Sequence, residues 1–147
     1  MKRSPELRDL SVDHHHGLVL ARTARTAAAG TKGLTVEEAW DRVETTFAEH
    51  LEPHFRIEET LLAPALEAVG EVDLARRLHA EHAALRHFLH PGCERSATEL
   101  KRFGDLLDDH IRFEERTLFD VAEKKLGTDA LRAVAEASRT AGRGNSK

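Results

Sequence analysis

Apolar residues recur every three or four positions along almost the whole chain, the period of helices that each bury one face, and no run alternates as a strand requires. Ser4-Pro5-Glu6 offers a cap followed by proline at a first helical position, and Leu7, Leu10, His14, Leu18, Ala21 and Ala28 then share a face up to Gly30. Gly30 to Leu34 reads as a loop. Thr35-Val36-Glu37-Glu38 is a capping box that opens a second helix with the stripe Trp40, Val43, Phe47, Leu51, His54, Glu58 and Leu62. Pro53 predicts a kink just before His54, and Pro64 and Gly70 mark the end of this helix. Asp73 is placed to cap a third helix bearing Leu74, Leu78, His82, Leu85 and Leu89, which His90-Pro91-Gly92 stops. Ser96-Ala97-Thr98-Glu99 is a second capping box, followed by Phe103, Leu107, His110, Glu114, Leu118 and Val121 as far as Gly127. Four such helices with short connections predict an all-α fold, an antiparallel up-down four-helix bundle over residues 1–127. Residues 128–140 predict a short fifth helix and 141–147 a frayed tail.

The second and fourth helices repeat one another. His54-Phe55-Arg56-Ile57-Glu58-Glu59-Thr60-Leu61-Leu62 aligns with His110-Ile111-Arg112-Phe113-Glu114-Glu115-Arg116-Thr117-Leu118, sharing the His, the Arg, both Glu and the closing Leu. Leu10-Ser11-Val12-Asp13-His14 likewise aligns with Leu78-His79-Ala80-Glu81-His82. The bundle therefore reads as two copies of a helix pair.

Residues four apart on a helix stack on one face, so His54 points with Glu58 and His110 with Glu114, each pair inside an apolar stripe. With His14 and His82 they bring imidazoles and carboxylates to one interior level. A buried unpaired carboxylate costs several kcal/mol, while a whole domain is stable by only about 5–15 kcal/mol. Either protonated His must pair with the Glu, or a metal must neutralise the carboxylates and use the imidazoles.

Composition sharpens this. At 147 residues the chain has the length of one domain, and 40% apolar with 33% charged residues describes a globular chain rather than a disordered one. A net charge of −4 without a basic block argues against nucleic acid as a partner. No apolar run approaches a membrane span, and the first residues have no apolar signal core, so a cytoplasmic protein is expected. Cys93 is the only cysteine, which leaves His and carboxylate to hold any metal, and the absence of Tyr excludes a tyrosyl radical. That donor set suits iron, manganese or zinc. It exceeds one closed zinc site and fits two metals bridged by Glu58 and Glu114. Neither the Glu-x-x-His of ferritin-like bundles nor the His-Glu-x-x-His of zinc proteases occurs.

The pattern of one His, then His-x-x-x-Glu, then one His, then His with a following acid resembles the hemerythrin-like family, the HHE cation-binding bundles with a non-haem di-iron centre. The resemblance covers about residues 7 to 126. It implies His14, His54, Glu58, His82, His110 and Glu114 as metal ligands. It further implies two iron ions with an oxo or hydroxo bridge, and dioxygen, peroxide or nitric oxide as the small ligand. Oxygen carriers of the family have a second His four residues on in the third helix, where this chain has Arg86. His50, one turn before His54, is a candidate substitute. Arg86 reads as a stabiliser of an anionic oxygen ligand, as an orienting partner of Glu59 or Glu115, or as a surface side chain. Glu115 stands where oxygen carriers have an Asp, and Glu114 is the expected ligand. His14 is favoured over His15 because choosing His15 turns Arg22 inward. His16, His87 and His90 are expected to face solvent, His79 to lie beside the ligands, and Cys93 to be an exposed thiol. A catalase-like peroxidase or oxidase, and a metal-stabilised interaction module, are the alternative functions.

Overall fold

The structure is a computed structural model that describes residues 3–31 and 33–145, with side chains described as far as residue 141. Among the described residues every regular element is helical, and there are five main helices. A single 3-10 turn, Pro5–Leu7, leads into α1, Arg8–Ala28. Helix α2 covers residues 36–68 as α-helical Val36–Thr46, a π-helical turn Phe47–Leu51, α-helical Glu52–Ile57, a second π turn Glu58–Leu62, and α-helical Ala63–Ala68. Helix α3 is Val72–His87. Helix α4 covers residues 97–125 as Ala97–Phe113, a π turn Glu114–Leu118, and Phe119–Lys125. Helix α5, Thr128–Asn145, runs through most of the expected tail; residues 146–147 lie outside the described set. No helix among the described residues is long and apolar enough to cross a membrane.

The Thr35 capping box forms with both of its hydrogen bonds, 3.1 and 3.0 Å. Ser96 caps α4 through the Glu99 amide at 3.1 Å, but the Glu99 carboxylate turns to Arg102 instead of closing the second box. Asp73 does not cap α3: it sits in the first turn, after Glu71. Gly30 and Gly70, at φ of 74° and 90°, take the left-handed conformation that ends α1 and α2. Neither proline breaks α2. Each follows a π turn by two residues, and the Glu52 amide reaching back to the Phe47 carbonyl widens the helix by a residue ahead of Pro53. Pro64 accordingly lies inside α2.

Two apolar clusters form the core. One gathers Leu20, Trp40, Phe55, Leu85, Phe103 and Ile111, the other Leu7, Leu10, Leu62, Leu78, Phe113 and Phe119. The order in which a helix meets them reverses from each helix to the next through α4, and the polar candidates sit where each helix passes between them. Helix α5 adds Leu131 and Val134 to the second cluster and packs on the first turn, α1 and α2, so the architecture has five helices rather than a clean bundle of four.

The most extensive helix contact is α1 on α4. It depends on small residues: Gly17 rather than Leu18 faces inward, and Leu18 is 38% exposed. At Gly104 an added Cβ would lie 2.9 Å from the Ala21 carbonyl oxygen and 3.3 Å from the Ala24 Cβ. Gly104→Ala is therefore expected to destabilise the fold by about 1–3 kcal/mol, outweighing a helix-propensity gain of about 1 kcal/mol. Thermal melting checks this, since a raised Tm would mean that the helices can separate freely.

Candidate metal centre

Helix spacing and the π turns together build the centre. His54 and Glu58 occupy successive turns of α2, His110 and Glu114 of α4, and each Glu opens a π turn by giving its carbonyl to an amide five residues on, Ala63 or Phe119. Such turns are common at functional sites. Helix α1 adds His14 and α3 adds His82. All six side chains are buried, between 0% and 5% exposed.

Their donor atoms fall into two groups that share both carboxylates. His14, His54, Glu58 and Glu114 form one; His82, His110, Glu58 and Glu114 form the other. Within each group the donor atoms lie within 4.8 Å of one another. In the first, His14 Nε2 is 2.6 Å from Glu114 Oε1 and His54 Nε2 is 3.2 Å from Glu58 Oε2. In the second, His82 Nε2 is 3.1 Å from Glu58 Oε1 and His110 Nε2 is 2.7 Å from Glu114 Oε2. Each carboxylate therefore presents one oxygen to each group. Both Glu58 oxygens, Glu114 Oε2, and the Nε2 atoms of His82 and His110 are buried without an aligned hydrogen-bond partner. Orphaned buried acceptors of this kind are rare in folded proteins. Imidazole and carboxylate donors in such a set fit divalent iron, manganese or zinc.

Behind the imidazoles stands a second row of carboxylates. His54 Nδ1 meets Asp13 at 3.2 Å, His82 Nδ1 meets Glu59 at 2.7 Å, His110 Nδ1 meets Glu81 at 2.6 Å, and His14 Nδ1 lies 3.1 Å from Glu115. A carboxylate there fixes the ring and raises its basicity as a ligand. The pairing follows the sequence repeat: Asp13 precedes His14 as Glu81 precedes His82, and Glu59 follows Glu58 as Glu115 follows Glu114. Asp13 and Glu81 flank the buried face and so lie off the apolar stripes, and the repeated acid-His dipeptide is the sequence signal that marks them.

Burial disfavours imidazolium, but the close carboxylates, Glu114 and Glu58 foremost, overcome it. In the metal-free protein His82 is pushed up to about 9 and His110 to about 10, and His14 and His54 are also raised. Burial alone would raise Glu114, yet the surrounding imidazoles hold it well below the usual carboxylate range.

The remaining candidates lie elsewhere. His15 is exposed, and His50 is half-buried and stacks on His16 with ring centroids 4.5 Å apart, so it does not take the place of a second His at the Arg86 position of α3. His79, His87 and His90 are exposed, His79 contrary to expectation. Cys93 is half-buried against the first cluster rather than an exposed thiol. Arg86 is half-buried and clamps Glu52 and Glu59, with Nη1 2.7 Å from the Glu59 oxygen that also takes His82 Nδ1.

A family model described as the hemerythrin HHE cation-binding domain matches residues 7–122. The chain belongs to this family. No curated protein and no solved structure matches it significantly. The hemerythrin match spans α1 to most of α4 and thus every residue of the two donor groups, while α5 lies beyond it. Cation binding is accordingly the property that family and geometry have in common.

Proposed function

We propose that the chain is a di-iron protein that binds or senses oxygen or a related species, peroxide or nitric oxide, with His14, His54, Glu58, His82, His110 and Glu114 as ligands. The observation that carries this reading is the sharing of Glu58 and Glu114 between the two donor groups, one oxygen to each. An iron pair held there supplies electrons to a small oxygen-derived ligand. The two carboxylates offset part of the repulsion between neighbouring cations. The outer carboxylates orient each imidazole with Nε2 inward. Phe55 stacks on His82 at 3.8 Å and Phe119 on His14 at 5.1 Å, fixing both rings and keeping water from them. The reversing order of the core clusters supports an up-down arrangement of α1 to α4, which brings one donor-bearing face of each helix to a common level.

Protein loaded anaerobically with ferrous iron is expected to hold two irons per chain and to develop a charge-transfer absorption on exposure to oxygen or peroxide. A band that reverses when oxygen is removed identifies a binding protein, and iron-dependent oxygen evolution from peroxide identifies an enzyme. One metal per chain, or zinc with no optical response, would overturn the reading in favour of a structural metal.

A further inference from the structure

The four outer carboxylates look equivalent in the repeat but are not backed alike. Glu59 is gripped by Arg86, which also holds Glu52 through Nε at 2.9 Å and Nη2 at 2.7 Å. Glu81 is held by Arg77 Nε at 2.8 Å. Both guanidinium groups are further positioned by aromatic rings, Arg77 3.9 Å above Phe113 and Arg86 5.5 Å from Phe55, the ring that stacks on His82. Both therefore stand behind the group containing His82 and His110.

The other group has a different backing. Glu115 receives the neutral hydroxyl of Ser11 at 3.0 and 3.2 Å. Among the described residues Arg3 lies nearby, but it binds the Glu115 main-chain carbonyl and directs its charge to Glu123. Behind His54, Asp13 is contacted by the imidazole itself. Among the described residues, Glu52, Glu59 and Glu81 thus face Arg56, Arg77 and Arg86 on one side, whereas Glu115 and Glu123 on the other are contacted by Arg3.

A carboxylate behind an imidazole strengthens it as a metal ligand by drawing on its N–H. A guanidinium on the same carboxylate, on the very oxygen that meets His82 in the case of Arg86 and on the other oxygen of Glu81 in the case of Arg77, takes charge that would otherwise do this, and it adds a fixed positive charge on that side of the centre. We propose that the two metal positions are unequal: the one built on His14 and His54 binds a divalent cation more tightly than the one built on His82 and His110. Arg86 and Arg77 act as positioning residues that set the difference. The inference rests on the two-metal reading above.

Calorimetric titration of the metal-free protein with Zn²⁺, and anomalous diffraction from crystals given one equivalent of Zn²⁺, test it. Two ions are expected to bind, the first between His14 and His54. Neighbouring cations repel in any case, so the position that fills first decides, not the existence of two steps. Arg86→Gln is expected to tighten the second step about tenfold, the lower end of what changing an outer partner does to metal affinity. Arg86→Lys keeps the charge and is expected to keep the gap; Arg77→Gln, at a more exposed side chain, gives an independent arm in the same direction. Equal occupancy at one equivalent, filling of the His82 and His110 position first, or identical isotherms for the Gln and Lys variants would overturn the inequality while leaving two-metal binding intact. Fewer than two ions per chain would overturn the two-metal reading and the inequality with it.

Discussion

Glu58→Gln is expected to deprive the protein of two-metal binding while leaving it folded. The amide matches the carboxylate in shape, so the buried space between the two core clusters is refilled. What changes is charge and donor pattern. Glu58 Oε2 lies 3.2 Å from His54 Nε2 and Oε1 lies 3.1 Å from His82 Nε2, so an amide must turn its N–H to one group and can offer only a neutral oxygen to the other. Both positions lose an anionic ligand at once. The drop in affinity should exceed about a hundredfold, the upper end of what losing an outer partner costs. His82→Ala provides the contrast, since it removes one donor from one group and leaves the His14 and His54 group complete. Metal content per chain, measured beside a circular dichroism spectrum, separates the cases. A folded Glu58→Gln protein that keeps two ions would refute the bridging role; one that keeps a single ion would assign Glu58 to one position only.

The six inward residues were legible because each lies on a uniform 3.6-residue stripe, and a His followed by Glu one turn later is unambiguous on such a stripe. Where the period itself changes, the sequence is less readable. The π turns at Phe47–Leu51 and Glu58–Leu62 each insert a residue, so Pro53 and Pro64, read as a kink and an end, lie inside a continuous helix. Leu18 falls on the apolar stripe because hydropathy scores a leucine above a glycine, but the close approach of α1 and α4 requires Gly17 on that face. His50 sits one turn before His54 near the end of the Phe47–Leu51 π turn, and its ring stacks on His16 instead of joining the buried donors. The outer carboxylates come from neighbouring helices, and a single stripe does not encode which helix lies beside it. Only the repeat did, by preserving the acid next to His14 and His82.

Removing the metal is expected to reverse the pH dependence of stability. In the metal-free protein His82 and His110 have folded-state values of about 9 and 10 against 6.5 unfolded, and His14 and His54 are raised too. A raised imidazole contributes its full stabilisation below the unfolded value and loses it as pH rises through the folded one. Glu114, held well below 4.5, contributes above that value and fails only in strong acid. Chelated protein should therefore be most stable between about pH 4.5 and 6.5 and weaken by several kcal/mol as pH rises toward 10. With the proposed ligands, loaded protein is expected to behave oppositely, because metal and proton then compete for the same four Nε2 atoms and every ion bound displaces protons. At a metal concentration about a thousand times Kd the ion contributes about 4 kcal/mol, a Tm rise of roughly 10 °C in a domain of this size. The gap between loaded and chelated Tm should be narrow near about pH 5 and widen steadily to about pH 9. A gap independent of pH would mean that no imidazole proton is displaced on binding, and the histidines could then not be the donors.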